Sequence, residues 1–167
     1  PGYSFVIADY SQIEPRLSAQ VSLDPVYVAT FVDDDDIYIR VAEAMTGSRP
    51  TKDSTERQIF KTIVLALAYR MGAPKLWKQL CLALEKEIMA GEVELPTLDY
   101  VKDLHKRFFE VHSGIKEYQQ TCAKLADVGS GEKIWDLFLK APVTWITAPC
   151  GRKRFFAATH TGSIYTE

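Results

Sequence analysis

Cysteine is scarce in this sequence. Cys81, Cys122 and Cys150 are the only three, far apart and without a CxxC pair. Neither a disulfide framework nor a zinc site is expected, and the three read as structural thiols. Long apolar runs are missing too. Nothing approaches the roughly 18 consecutive apolar residues that cross a bilayer. No signal-peptide pattern opens the chain, which therefore reads as intracellular with no membrane partner. Neither sign of charge is in excess: 20 Lys and Arg against 22 Asp and Glu leave a net charge of -2, too small to announce a polyanion partner. Internal repeats are absent, and low complexity is confined to four consecutive aspartates, Asp33 to Asp36. That run lacks the spaced ligands and glycine bend of a calcium loop and is expected to be a solvated turn.

What is present is a soluble globular composition, 47% hydrophobic and 25% charged across 167 residues. That is room for one domain or for part of a larger one. The even charge balance hides local clusters. Between Lys52 and Lys78 six basic residues (Lys52, Arg57, Lys61, Arg70, Lys75, Lys78) stand against two acidic ones (Asp53, Glu56), and "GRKRFF" at 151–156 forms a second basic cluster. Local potential, more than the average, decides where a polyanion docks.

"YSFVIAD" has the β-branched and aromatic content of a strand that ends at Asp9. Gln12 to about Val21 reads as a short helix, with Pro15 tolerable only near its first turn. Ile37, Val41 and Met45 recur every four residues and predict a helix that stops before "TGSRP". Thr55 followed by Gln58 fits a capping box opening a helix from about Glu56 to Met71, with Gly72 near its end. Helices are also expected at 74–90 and, from apolar positions running from Leu98 to Leu125, at 98–127. His105 and His112 would share one face of that long helix as surface or packing residues. "APVTWITAPCGRKRFFAATH" is β-rich, with a hairpin expected around Pro149–Gly151.

The chemistry concentrates in two places. Arg57, Lys61, Leu65 and Tyr69 are each four residues apart, a slanting helical stripe about 18 Å long with two cations about 6 Å apart at its head. A polyphosphate could lie across the cations while a sugar and base lie against Leu65 and Tyr69. Spacing alone also fits a basic edge beside a core stripe. An aspartate at a strand end, in "DYSQIEPR", is the kind of oxygen ligand Mg²⁺ takes together with phosphate oxygens. Phosphoryl transfer relies mostly on positioning and on cations that neutralise developing charge.

"DYSQIEPR" resembles motif A of the family A DNA polymerases, whose usual form is DYSQIELR, with seven of eight positions matching. "RQIFKTIVLALAY" resembles motif B, about fifty residues on as that family requires, and "TAPCGRKRFF" resembles its later arginine-rich segment. The resemblance implies an α+β, mainly helical fold: palm with motif A at 1–25, fingers at 26–140 and a β-rich return segment at 141–167. It implies that Asp9 ligates both catalytic Mg²⁺ ions, with the Tyr10 carbonyl on one of them, and that Glu14 is the steric gate against a ribose 2′-hydroxyl. By the same resemblance Arg57 and Lys61 bind the β- and γ-phosphates of a dNTP, Lys61 also serving as proton donor to pyrophosphate. Leu65 lies against the sugar and Tyr69 beside the nascent pair, while Arg16, Arg70, Arg152 and Arg154 face primer-template DNA. The implied compartment is the cytoplasm or another one that holds DNA.

Three positions depart from the family pattern. Pro15 replaces leucine and is expected to push Glu14 out of the helical region; Leu65 replaces an aromatic; Arg70 replaces a glycine. Two-metal transfer also needs a second carboxylate, which the family takes from a His-Asp-Glu motif downstream. None of His105, His112 and His160 is followed by Asp-Glu. Residues 1–167 are thus expected to be part of a polymerase, inactive until a C-terminal half supplies that motif. The alternative is a non-catalytic nucleotide- or DNA-binding module derived from one.

Overall fold

A computed structural model describes residues 2–128, 134–136, 141–147 and 150–157, with side chains described through Lys124 and again at 147 and 150–153. The described residues fall into two compact units divided after Ile115. The first holds α1 (Ile13–Ser22), α2 (Pro25–Val32), α3 (Ile37–Thr46), α4 (Thr55–Ala68), α5 (Ala73–Ala83), α6 (Glu85–Met89) and α7 (Leu98–Val111), and α8 (Ser113–Val128) begins in it. The second carries the rest of α8 and the strands β1 (Ile134–Asp136), β2 (Ala141–Thr147) and β3 (Lys153–Ala157). These pair antiparallel in the order β1-β2-β3, with Val143 opposite both Ile134 and Ala157 and Thr147 opposite Lys153. Residues 148–149, at the centre of the expected hairpin, lie outside the described ones.

In the first unit α4 runs through the core. Phe60, Ile63, Val64 and Leu67 of α4 are buried with Ile37, Val41 and Met45 of α3, Leu76 and Leu80 of α5, and Val101 and Phe108 of α7. The opposite face of α4 is thereby left to its polar and half-buried residues. Two of the helix starts near the site have a side-chain cap. Ser54 Oγ accepts from the Arg57 amide (3.2 Å), so the cap sits one residue before the expected Thr55. Asp36 Oδ1 accepts from the amides of Tyr38 (2.9 Å) and Ile39 (3.3 Å) to open α3.

Several expectations are corrected. Residues 3–9 form no strand: they are unpaired, and Tyr3, Phe5, Val6 and Ile7 are each more than nine-tenths exposed. A strand needs a neighbour for its ladder and a surface for its side chains, and no described segment supplies either. The helix expected at 74–90 breaks at Leu84 into α5 and α6, and the one expected at 98–127 breaks at His112 into α7 and α8. The aspartate run is only partly the expected solvated turn: Asp33 and Asp34 are exposed in a turn, while Asp35 and Asp36 are half-buried. Asp33 and Asp35 contact Arg40, Asp35 also binds Arg49, Asp34 lies 4.0 Å from Arg16 and Asp36 binds Arg57. α2 was not anticipated, because Pro25–Val32 is apolar apart from Thr30 and carries no clear helical period.

The break at His112 has a specific cause. Asp24, fully buried, accepts from the Val26 amide (3.2 Å) and the Tyr27 amide (3.4 Å) to cap α2. The same carboxylate accepts from His112 Nδ1 (3.3 Å) and from the Gly114 amide (3.1 Å). His112, also fully buried, meets the rings of Tyr27 edge-on and Phe108 tilted. Gly114 is required by close approach: a Cβ there would stand 2.7 Å from the Asp24 Cα and 2.9 Å from the Ser22 carbonyl oxygen. Burial alone pushes the Asp24 carboxyl up, but the bond to His112, its charge, and the Tyr27 and Gly114 amides hold it below its ordinary 3.8.

Two outcomes follow. Gly114→Ala should destabilise the chain by about 1–3 kcal/mol in urea unfolding, because the clash is with backbone that cannot rotate away; an unchanged midpoint would contradict the packing. A carboxyl with a depressed folded pKa adds stability that is complete above its unfolded value and lost as pH falls through the folded one. The urea midpoint of the wild type should therefore decline below about pH 4 more steeply than that of Asp24→Asn. Parallel declines would remove Asp24 as a cause.

Candidate functional site

Four of the residues picked out by spacing lie on or just after α4, and their surroundings differ sharply. Phe60, Ile63, Val64 and Leu67 are turned into the core, which leaves Arg57, Lys61 and Leu65 half-buried at its edge and Tyr69 exposed. Arg57 is not a free cation. Its Nε (3.1 Å) and Nη2 (2.6 Å) both donate to Asp36 Oδ2, and its Cζ lies 5.3 Å from the centre of the Tyr38 ring. Both side chains of this ion pair are largely buried, at 19% and 16% exposure. Lys61, one turn further, has no ion-pair partner among the described residues.

The helix ends at Ala68, three residues before its expected end at Met71. The Met71 amide donates to the Ala66 carbonyl (3.1 Å) and the Arg70 amide to the Leu67 carbonyl (3.0 Å). These are the crossed bonds of a Schellman turn, which needs a left-handed residue between them. Arg70 takes that place at φ +55°, where an L side chain is strained and glycine is not. The substitution for glycine noted in the sequence therefore falls where glycine would be easiest. His105 Nε2 donates to the Met71 carbonyl (3.2 Å) and ties the turn to α7.

That turn leaves the Tyr69 phenol free to donate to Glu14 Oε1 at 2.6 Å, joining α1 to the end of α4. Glu14 is helical, against the expectation set by Pro15; the distorted residue is Gln12, at φ +54°, and Pro15 is buried. Asp9 and Tyr10 lie at the end of the exposed segment. The Asp9 carboxylate and the Tyr10 carbonyl are hard oxygen donors of the type Mg²⁺ accepts, though only part of a coordination shell. Among the described residues no three His, Cys, Asp or Glu side chains cluster as metal ligands. Arg16 braces its own helix: Nε donates to the Ser11 carbonyl (3.1 Å) and the guanidinium lies 4.6 Å over the Phe31 ring. Arg70 and Arg152 are exposed, and the Arg154 side chain lies outside the described ones.

Asp36 and Tyr38 are the site neighbours that spacing on one helix did not find. A signal was available for the first, since an aspartate directly before the periodic run from Ile37 reads as a helix cap. The Glu14 contact also has a titration consequence. A carboxylate that accepts the phenolic proton favours the neutral phenol, and Glu14 accordingly holds Tyr69 above its ordinary 10.0. In Glu14→Gln the Tyr69 phenol should titrate at lower pH, as read by NMR of ring-labelled tyrosine; an unmoved titration would deny the bond in solution.

The profile of DNA polymerase family A matches residues 1–132. DNA polymerase I of Chloroflexus aurantiacus is 40% identical over 74 residues, 44% of this chain and 8% of that protein. The Aquifex aeolicus DNA polymerase I is 30% identical over 124 residues, 74% of this chain and 20% of that one. The chain thus spans a fifth or less of the length of these relatives. In fold it is similar to the polymerase domain of Pol1 from M. smegmatis, solved in complex with DNA primer-template and dNTP: TM-score 0.61 at 20% identity, covering 92% of this chain and 23% of that one. Motifs, profile and fold agree, and the chain belongs to DNA polymerase family A.

Proposed function

We propose that residues 1–167 form the part of a template-directed DNA polymerase that binds the incoming dNTP and supplies one catalytic carboxylate. The observation that carries this is the joining of motif A to the end of motif B by the Glu14–Tyr69 hydrogen bond. It holds the residue read as the sugar gate beside the residue read as the base-pair neighbour. Residues 1–25 are read as palm, 26–140 as fingers and 141–167 as the return segment. The exposed apolar run Tyr3–Ile7 suits a palm strand whose neighbours come from outside these residues.

In this reading Lys61 meets the triphosphate with a charge-assisted contact worth about 1.5–3 kcal/mol, and Arg57 adds a second from the previous turn. Lys61 would also give a proton to the departing pyrophosphate. Leu65 offers the sugar an apolar surface without a ring, and Glu14 fills the space a 2′-hydroxyl would need. Arg16, Arg70, Arg152 and Arg154 are read as contacts to primer-template DNA; for Arg16, the brace to Ser11 and Phe31 competes with that role. Asp9 and the Tyr10 carbonyl would hold Mg²⁺ together with phosphate oxygens and a second carboxylate from a C-terminal half. When bound, the metal would neutralise charge that develops on the phosphates.

The test combines residues 1–167 with the C-terminal half of a family A polymerase that carries His-Asp-Glu. Template-dependent primer extension should appear only with both parts. It should vanish in Asp9→Asn and fall at least about tenfold in Lys61→Ala. Extension by the purified chain alone, or extension that survives Asp9→Asn, would overturn the assignment. Undiminished dNTP binding without extension would instead favour a non-catalytic nucleotide-binding module.

A further inference from the structure

The Asp36–Arg57 pair is ambiguous at first sight, because an arginine needed for phosphate binding is already bound to a carboxylate. The geometry resolves it. Asp36 Oδ2 receives Nε–H and one Nη2–H, the side-on edge of the planar guanidinium. The end-on edge, formed by Nη1–H and the second Nη2–H, is left for another anion, and that fork matches two phosphate oxygens. Asp36 cannot swing with its partner, because its other oxygen is fixed by the amides of Tyr38 and Ile39 at the start of α3. The Tyr38 ring flanks the guanidinium at 5.3 Å, and the Ser54 cap fixes the Arg57 amide. An arginine held on one edge, one face and its backbone has few rotamers left to lose.

We propose that Asp36 is a positioning residue for triphosphate binding: it holds the Arg57 guanidinium edge-on so that its open fork meets a phosphate of the incoming nucleotide. This rests on the dNTP-binding reading above. The negative charge of Asp36 does not defeat the role. A phosphate on the open fork lies nearer to the guanidinium than to the carboxylate behind it, and Coulomb energy falls with distance. The two α3 amides also spread the carboxylate charge. What Asp36 contributes is preorganisation, since an immobilised long side chain otherwise loses its rotamer freedom when ligand binds.

The experiment titrates Mg²⁺-dATP into the full 167-residue chain by calorimetry, with deoxyadenosine as the phosphate-free control. Asp36→Asn keeps a helix cap but removes the acceptor facing Arg57; Asp36→Ser, a second uncharged cap, guards against a failure specific to asparagine. Either substitution should weaken dATP binding roughly three- to tenfold, leave deoxyadenosine unchanged, and have no effect once Arg57→Ala is present. A merely structural role would weaken dATP equally in the Arg57→Ala background, and that result overturns the proposal. So does unchanged or tighter dATP binding in both single variants. If the wild type binds no dATP at all, the dNTP-binding reading itself fails and the positioning role with it.

Discussion

One buried carboxylate holds the helical unit together. Asp24 receives two amides at the start of α2, the Gly114 amide at the start of α8 and the His112 imidazole between α7 and α8. A buried carboxylate without such partners would carry a large desolvation cost, so the turn after α1 and the turn after α7 must close on it together. The helices that carry the motifs are thereby set from their ends. α1 brings Glu14 toward α4, and α7 brings His105 to the turn that ends α4. The core fixes the rotation of α4, while these polar joints fix where its ends lie.

Helices with a clean apolar period were legible in the sequence, and their joints were not. α3 follows from the four-residue spacing of Ile37, Val41 and Met45, and the body of α4 from the capping signal around Thr55. α2 escaped because a nearly all-apolar segment shows no clear period, although Asp24-Pro25 is a cap followed by a favoured first residue. The single helix expected at 98–127 failed for a different reason. The apolar repeat continues across His112, and the break depends on a residue 88 positions earlier in the chain. The strand expected at 3–9 has the side chains of a strand but no neighbour among the described residues, and pairing is a property of two segments.

The candidate site divides along the same line. Spacing placed Arg57, Lys61, Leu65 and Tyr69 on one stripe, and the first three do share α4, with Tyr69 at its C-cap. It could not place Asp36, 21 residues from Arg57, or Glu14, 55 residues from Tyr69. The aspartate run shows why composition misleads at such points. Four like charges in a row suggest a solvated turn, yet each meets an arginine from elsewhere in the chain, and the last also opens a helix.

The Schellman turn after Ala68 makes α4 a helix of fixed length, and so turns it into an angular gauge. Each residue along a helix advances about 100° and 1.5 Å. Because both ends are pinned, by Ser54 at one and by Arg70 and His105 at the other, that angle cannot relax by sliding. One residue added between Lys61 and Tyr69 would rotate the phenol a quarter turn away from Glu14 while leaving Arg57 on Asp36. The spacing between the cations and the phenol is thus tolerant of side-chain exchange and intolerant of insertion.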